Sequence, residues 1–428
     1  ARRRMAPPDA APGGQPLDRG QLEALRTRYP AFKGALPAEA KHWPKVAVER
    51  FLKSGGKERP QVTPKVLQTC ELLTRARVEL ANSRISEPYS QSRSFCRHLR
   101  EAKEAGREMG RPAVAECVDV PKVQEAPREL RGPVVVDKRR DWAARLWNMD
   151  FWRQECGGDL WTCRARWPPP TDNAEGMEAF TLEATVAEYV EYARLVHRVD
   201  RKCEEDNALA YPRLGFDGWL PFCDSMAGVF GQTWNALGPP KLKDHLPRWV
   251  PLFAEAFGSD ALVSLARYFS VSLRATGTVD ALHCERNGAH VWLNQVEGRR
   301  LFFLFSPQEM DKLYAGYTTG ESPVDVFYPS ARRHPKFADA TAHVVTLYLG
   351  QTLVIPSGWW WCSVALEPCV TIGHTFWNLE NKVYFRDGLK DHFGFSLGAS
   401  RAQVQGVVRQ LEDIHRQVMA DEDSDVDG

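Results

Sequence analysis

The 428-residue chain lacks any uncharged apolar run of the ~18–20 residues that cross a bilayer as a helix, so no membrane partner is expected. No apolar segment of the signal-peptide kind stands at its start. It opens Ala1-Arg2-Arg3-Arg4-Met5, an opening compatible with a piece of a longer protein. Its ten cysteines include no Cys-x-x-Cys pair, which speaks against a zinc ribbon or a disulfide framework and for a reducing compartment, cytoplasmic or nuclear. Charge of one sign is also missing: 56 Lys and Arg face 55 Asp and Glu, so no global field steers the chain to nucleic acid, and no clear nucleic-acid-binding motif or internal repeat occurs. With 43% hydrophobic and 26% charged residues the chain is not a wholly disordered one.

The charge that is present is uneven. Residues 1–130 hold 25 basic and 16 acidic side chains, which suits either an anionic partner or a solvated helical surface. Residues 1–17, rich in Pro, Gly and Ala, read as a disordered arm, and 18–110 as a helical region in which Thr63-Pro64 is a helix start. Residues 111–131 read as a linker. From 132 to 396 the pattern changes to short apolar runs between turn signals: 134–136, 268–273, 290–296, 300–305, 343–349, 351–356 and 369–377. Runs of this length, rich in Val, Phe, Tyr, Trp and Thr, predict strands of a β-barrel or sandwich. Helices are expected near 141–155, 181–201 and 244–257. Residues 397–420 carry Val404, Val407, Val408, Leu411, Ile414 and Val418 at helical spacing, a stripe that suits packing on the barrel or on a second copy of the chain, and 421–428 form an acidic tail.

The chemistry-bearing stretch is His283-Cys284-Glu285. Strand side chains alternate, so His283 and Glu285 share a face, and Cys284 points the other way. Such a pair with one further ligand is a facial triad that leaves metal positions open for a keto acid and dioxygen. A hydrogen-bonded His–Glu pair without metal is the competing reading.

Segment 276–307, TGTVDALHCERNGAHVWLNQVEGRRLFFLFSP, resembles the Jumonji C, cupin-like family, whose members show Thr-x-x-His-x-Asp, a Trp nine residues after the His, and Gly-x-Lys before an apolar strand ending in Pro. Segments 132–158, 322–337 and 347–378 resemble the entry strand and helix, the inter-strand loop and the distal-ligand strand pair of the same family, in the same order. The resemblance covers about 132–396 and implies an α+β fold built on a double-stranded β-helix with flanking helices.

It also implies a site. His283 and Glu285 fall on two iron-ligand positions, Arg300 on the Lys that holds the 2-oxoglutarate carboxylate, Asp280 on a Thr that assists it, Thr375 on an Asn of the cup, and Trp292 on the family Trp, giving Arg300, Thr375, Asp280 and Trp292 as co-substrate-site candidates. The third iron ligand, the His of Pro-x-x-Trp-Trp-His, is Trp361 here, counted from Pro356. An indole has an N–H donor and no lone pair for a metal. A one-residue bulge bringing in Cys362, or His374 from the next strand, are the two candidate replacements. Asp280 would repel a dicarboxylate unless it pairs with Arg300, and such a pair would occupy the pocket from within.

Two functions follow from the resemblance. The first is an oxygenase, dependent on Fe(II) and 2-oxoglutarate, that hydroxylates or demethylates protein or RNA. The second is a catalytically inactive barrel that serves as a binding or assembly module, with a homodimer through the C-terminal helix as one form of it.

Overall fold

In a computed structural model, most of residues 19–56, 70–82, 111–137, 143–167, 178–202, 213–219, 270–316 and 320–376 are described, with single positions elsewhere. Chain contacts divide it into two units. The first comprises 1–65 with 203–210, the second 66–202 with 211–428. In the first unit, α1 (Arg19–Arg28) and α2 (Lys45–Lys53) are described, and Val48, Phe51 and Leu52 on one side of α2 pack with Tyr29, Phe32 and Leu36. The i, i+3, i+4 spacing of the α2 residues makes that face.

The second unit holds the barrel. Its first helix, α3 (Glu71–Asn82), is tied by Arg75 to Glu188 at 3.0 Å on α5 (Val186–Lys202), and α4 (Met149–Glu155) starts at Asn148, whose side chain accepts from the Phe151 amide at 2.9 Å. Fourteen strands are described, and nine have their ranges here: β1 (Glu116–Asp119), β2 (Lys122–Val123), β3 (Val134–Val136), β4 (Leu160–Trp167), β5 (Glu178–Thr185), β6 (Gly215–Trp219), β7 (Ser270–Arg274), β8 (Val279–Cys284) and β9 (His290–Glu297). The remaining five are β10 (Arg300–Phe305), β11 (Thr341–Leu347), β12 (Thr352–Ile355), β13 (Trp360–Ala365) and β14 (Cys369–Phe376).

They form a sheet of five in the order β1-β11-β10-β13-β8 and a sheet of nine in the order β2-β3-β12-β9-β14-β7-β6-β4-β5. From β7 onward successive strands alternate between the two sheets, except that β10 and β11 are neighbours in the smaller one, which is the double-stranded β-helix of the expected fold class. The interior between the sheets is filled by Val291, Leu293, Phe302, Leu304, Leu353, Ile355 and Trp361. The other face of the five-stranded sheet carries a second core of Leu301, Phe303, Phe305, Trp360, Cys362 and Val364, covered by Leu313, Val324, Phe327 and Phe337 from the segment between β10 and β11. Both faces of β10 are therefore apolar, as its sequence RLFFLF requires.

Gly298 makes the β9–β10 turn at φ 73°, and a Cβ there would meet the Pro368 carbonyl oxygen at 2.2 Å.

Three expectations need correction. Residues 111–131, read as a linker, contribute β1, parallel to β11, and β2, parallel to β3. Their strand state comes from pairing with an existing edge rather than from a strong pattern of their own. The helix expected over 181–201 starts at Val186, because 178–185 pair with β4 along its full length. Strands β4, β5 and β6 extend the larger sheet beyond the barrel and were not expected. The arm 1–17, the helix 244–257, Thr63-Pro64, the tail 421–428 and the apolar stripe of 397–420 lie outside the described residues. Gln405, Gly406, Arg409, Asp413 and Arg416 of that last segment are helical and exposed.

Candidate functional site

One cleft of about 160 Å³ opens between the two sheets, lined by His283, Glu285, Trp361, Thr375, Asp280 and Arg300 together with Arg164, Asp217, Arg274 and the serines of β7. Asp280, His283, Glu285, Arg300, Thr375 and Trp361 of the sequence candidates are thus brought together. Trp292 is not: it is fully buried, whereas Val291 and Leu293 on either side of it line the cleft, so strand alternation turns the indole to the opposite face of β9.

Asp280 and His283 share the cleft although three residues apart, a spacing that regular alternation would send to opposite faces. Pairing of β8 with β13 explains it. His283 lies opposite Trp361 and Asp280 opposite Ser363, so three steps on β8 face two on β13, with an irregularity between Trp361 and Ser363. This bulge re-aims both side chains inward. It does not rotate Cys362 into the cleft. That side chain sits in the second core, 2% exposed, and burial first, then Asp325 and Asp280, push its thiol well up from the ordinary range. Cys284 also packs toward that core, and burial pushes its thiol up to about 12. Thr375 of β14 lines the cleft. The side chain of its neighbour His374 lies outside the described residues.

At the metal end, His283 Nδ1 lies 2.8 Å from the Ala281 carbonyl oxygen. A carbonyl only accepts, so Nδ1 carries a hydrogen, and in the neutral tautomer this fixes, the lone pair is on Nε2, 3.9 Å from Glu285 Oε1. The third side is closed by Trp361, whose ring centroid is 4.2 Å from that of His283 and 6.0 Å from that of Phe302. Trp361 is 6% exposed, and its buried Nε1 has no hydrogen-bond partner among the described residues. The unmatched atom here is a donor, the wrong sign for a cation. Among the described residues no three His, Cys, Asp or Glu side chains are grouped to hold a metal ion. Among the described residues the donor set therefore does not fit an iron held by a facial triad.

At the other end, Arg300, 2% exposed, donates from Nε to Ser363 Oγ at 2.9 Å and from a terminal nitrogen to Asp280 Oδ2. Ser363 Oγ donates to the same Oδ2 at 2.9 Å. Arg274 covers Oδ1 from Nε at 3.1 Å and Nη2 at 2.9 Å. It is held in turn by Asp217 at 2.8 Å and by the carbonyls of Phe216 and Leu273, both at 3.2 Å. Gly215, opposite Arg274 on β6, leaves room for this guanidinium: a Cβ there would lie 3.0 Å from its carbon. Burial alone would raise the Asp280 carboxyl. The two arginines and the bonds from Arg274 and Ser363 outweigh it and hold the carboxyl well below the usual carboxylate range. Arg274, Asp217 and Ser363 had no place among the sequence candidates. The signal was available: an Arg ending the apolar run SVSLR needs a buried acid.

The fold and the cup define a protein of the double-stranded β-helix class. More narrowly, a family model described as a cupin-like domain matches residues 129–382, and the chain belongs to that family. Among curated proteins, it is 36% identical over 88 residues to HSPB1-associated protein 1 of Rattus norvegicus, covering 19% of this chain and 18% of that protein. It is 33% identical over 104 residues to Lysine-specific demethylase 8 of Xenopus tropicalis, 24% and 23% of the two chains. It is 31% identical over 115 residues to Lysine-specific demethylase JMJ21 of Arabidopsis thaliana, 23% and 12%. These matches span less than a quarter of each relative. Among the described residues no helix is long and apolar enough to cross a membrane.

Proposed function

We propose that this chain is a cupin-like barrel that works as a binding or assembly module and does not carry iron- and 2-oxoglutarate-dependent chemistry. The observation that carries the reading is the Trp361 ring packed 4.2 Å from His283, where a third ligand would have to stand. Among the described residues two lone-pair groups remain at this end, His283 and Glu285, and two ligands hold a metal weakly against water. Of the relatives, one is named for association with another protein and two for lysine demethylation. The cup favours the first kind of role. A module acts through a partner, and the amphipathic stripe of 397–420 is the proposed contact, with a second copy of the chain or with another protein. Work in the cytoplasm or nucleus fits a cysteine pattern with no Cys-x-x-Cys pair.

The competing reading is an Fe(II)- and 2-oxoglutarate-dependent hydroxylase or demethylase of protein or RNA. It is favoured by His283 and Glu285 lining one cleft. An anaerobic titration with Fe(II), with and without 2-oxoglutarate, separates the two. The module reading expects no metal-to-keto-acid charge-transfer band and no thermal stabilisation by either. A saturable band at one equivalent would overturn it.

A further inference from the structure

We infer that the Asp280 carboxylate is a built-in occupant of the barrel's carboxylate site, so that it determines what the cleft excludes, and that shortening it uncovers a receptor for a small monocarboxylate. The geometry is that of a bound carboxylate. One oxygen takes a forked pair from Arg274, the other takes Arg300 and the Ser363 hydroxyl. Both oxygens are saturated by cationic or hydroxyl donors, the arrangement by which proteins hold a ligand carboxylate. Here it is attached to the chain through one methylene.

The receptor would survive removal of its occupant, because each wall is anchored independently. Arg274 keeps Asp217 and the carbonyls of Phe216 and Leu273. Arg300 keeps Ser363 Oγ and lies over the Phe302 ring at 5.0 Å. Substitution by Ala deletes one carboxylate group and leaves a space of that size. It also leaves Arg300 without its ion-pair partner and Arg274 with the carboxylate of Asp217 alone, an imbalance that an anion relieves. Formate matches the deleted group, and acetate adds one methyl toward the cleft. In the wild-type chain the same donors are spent, and a dicarboxylate entering the cleft meets the negative Asp280 instead of a free cation.

The test is thermal unfolding of wild type, Asp280→Ala and Asp280→Asn in formate, acetate, 2-oxoglutarate and chloride at matched ionic strength. Asp280→Ala should unfold at lower temperature and recover in a saturable way with formate or acetate but not chloride. Asp280→Asn fills the space with an amide and should not recover. The wild type should respond to none of them. Saturable stabilisation of the wild type by 2-oxoglutarate, or equal recovery of Asp280→Ala in chloride, overturns the inference. Should Asp280→Ala fail to fold, Asp280→Ala/Arg300→Met, which removes both charges, is the companion. If the double variant folds while the single one stays unfolded even with formate, the inference is wrong. Iron bound by the wild type without 2-oxoglutarate would overturn the proposed function and leave this inference standing.

Discussion

Replacing Trp361 by His puts the missing donor back. The position is right, since β13 sets residue 361 opposite His283 on β8 and opposite Leu304 on β10. The cost can be worked out from the packing. Trp361 is 6% exposed and touches both His283 and Phe302, so full truncation to Ala would cost about 3–5 kcal/mol. An imidazole refills roughly half of that volume, leaving a loss of about 2–3 kcal/mol. For a domain of this size that is a fall of about 5–10 °C in the unfolding midpoint.

A metal then returns stability by mass action, about 2.7 kcal/mol at a hundredfold excess over the dissociation constant. Saturating Co(II), used as an air-stable probe, should therefore cancel most of the loss in Trp361→His. It should also develop the visible d–d bands of a coordinated ion. Trp361→Ala serves as the control, because it opens the same space without a lone pair and should gain nothing from Co(II). Equal stabilisation of the wild type by Co(II) would refute the reasoning. So would a folded Trp361→His variant with no saturable response.

Two further outcomes follow from the cleft. Asp280 has a folded-state pKa below its unfolded value of about 3.9, so its contribution is complete above that value and is lost as pH falls toward the folded one. The stability gap between wild type and Asp280→Asn should accordingly narrow in chemical denaturation as pH drops below about 4, and a gap independent of pH would contradict the buried pairing. Cys362, sealed in the second core with its thiol pushed up, should resist maleimide in the native protein while half-buried Cys117 reacts, and Cys362→Ala should leave the response to Fe(II) or Co(II) unchanged. Rapid native labelling of Cys362, read by mass spectrometry, would place it elsewhere.

Much of the barrel was legible because its strands carry their own pattern. The runs at 290–296, 300–305 and 351–356 became β9, β10 and β12 with small shifts at the ends. Arg300, Asp280 and His283 were found through spacing that repeats a family motif. The strands that escaped are those whose state depends on a neighbour. β5, EAFTLEAT, carries only two charges, Glu178 and Glu183, and no regular alternation, and Glu183 and Thr185 read equally well as the start of a helix. Only its pairing with β4 decides between them. Trp292 failed for a different reason. The motif placed it near the cup in sequence, while the period of two placed it on the far face. Arg274 and Asp217 lie 57 residues apart on strands that pair side by side, a juxtaposition that no local pattern contains.

Trp361 and Asp280, two of the departures from the family pattern, lie on one ladder. Trp361 lines the cleft and Ser363, two residues on along β13, bonds to Asp280, and the bulge sets His283 against the first and Asp280 against the second. A side chain at 361 therefore governs the metal end, and residue 363 reaches the carboxylate end through its bond to Asp280. A change of register in this one strand pair would move both at once, because slipping by a single residue would turn Trp361 to the second core and bring Cys362 to the cup. The pairing of β13 with β10 opposes that slip. It runs without irregularity from Arg300 opposite Ala365 to Phe305 opposite Trp360, and it fixes Cys362 beside Phe303 in the second core. The Trp361 side chain, packed against His283, is thus held there by six consecutive pairs on its other edge.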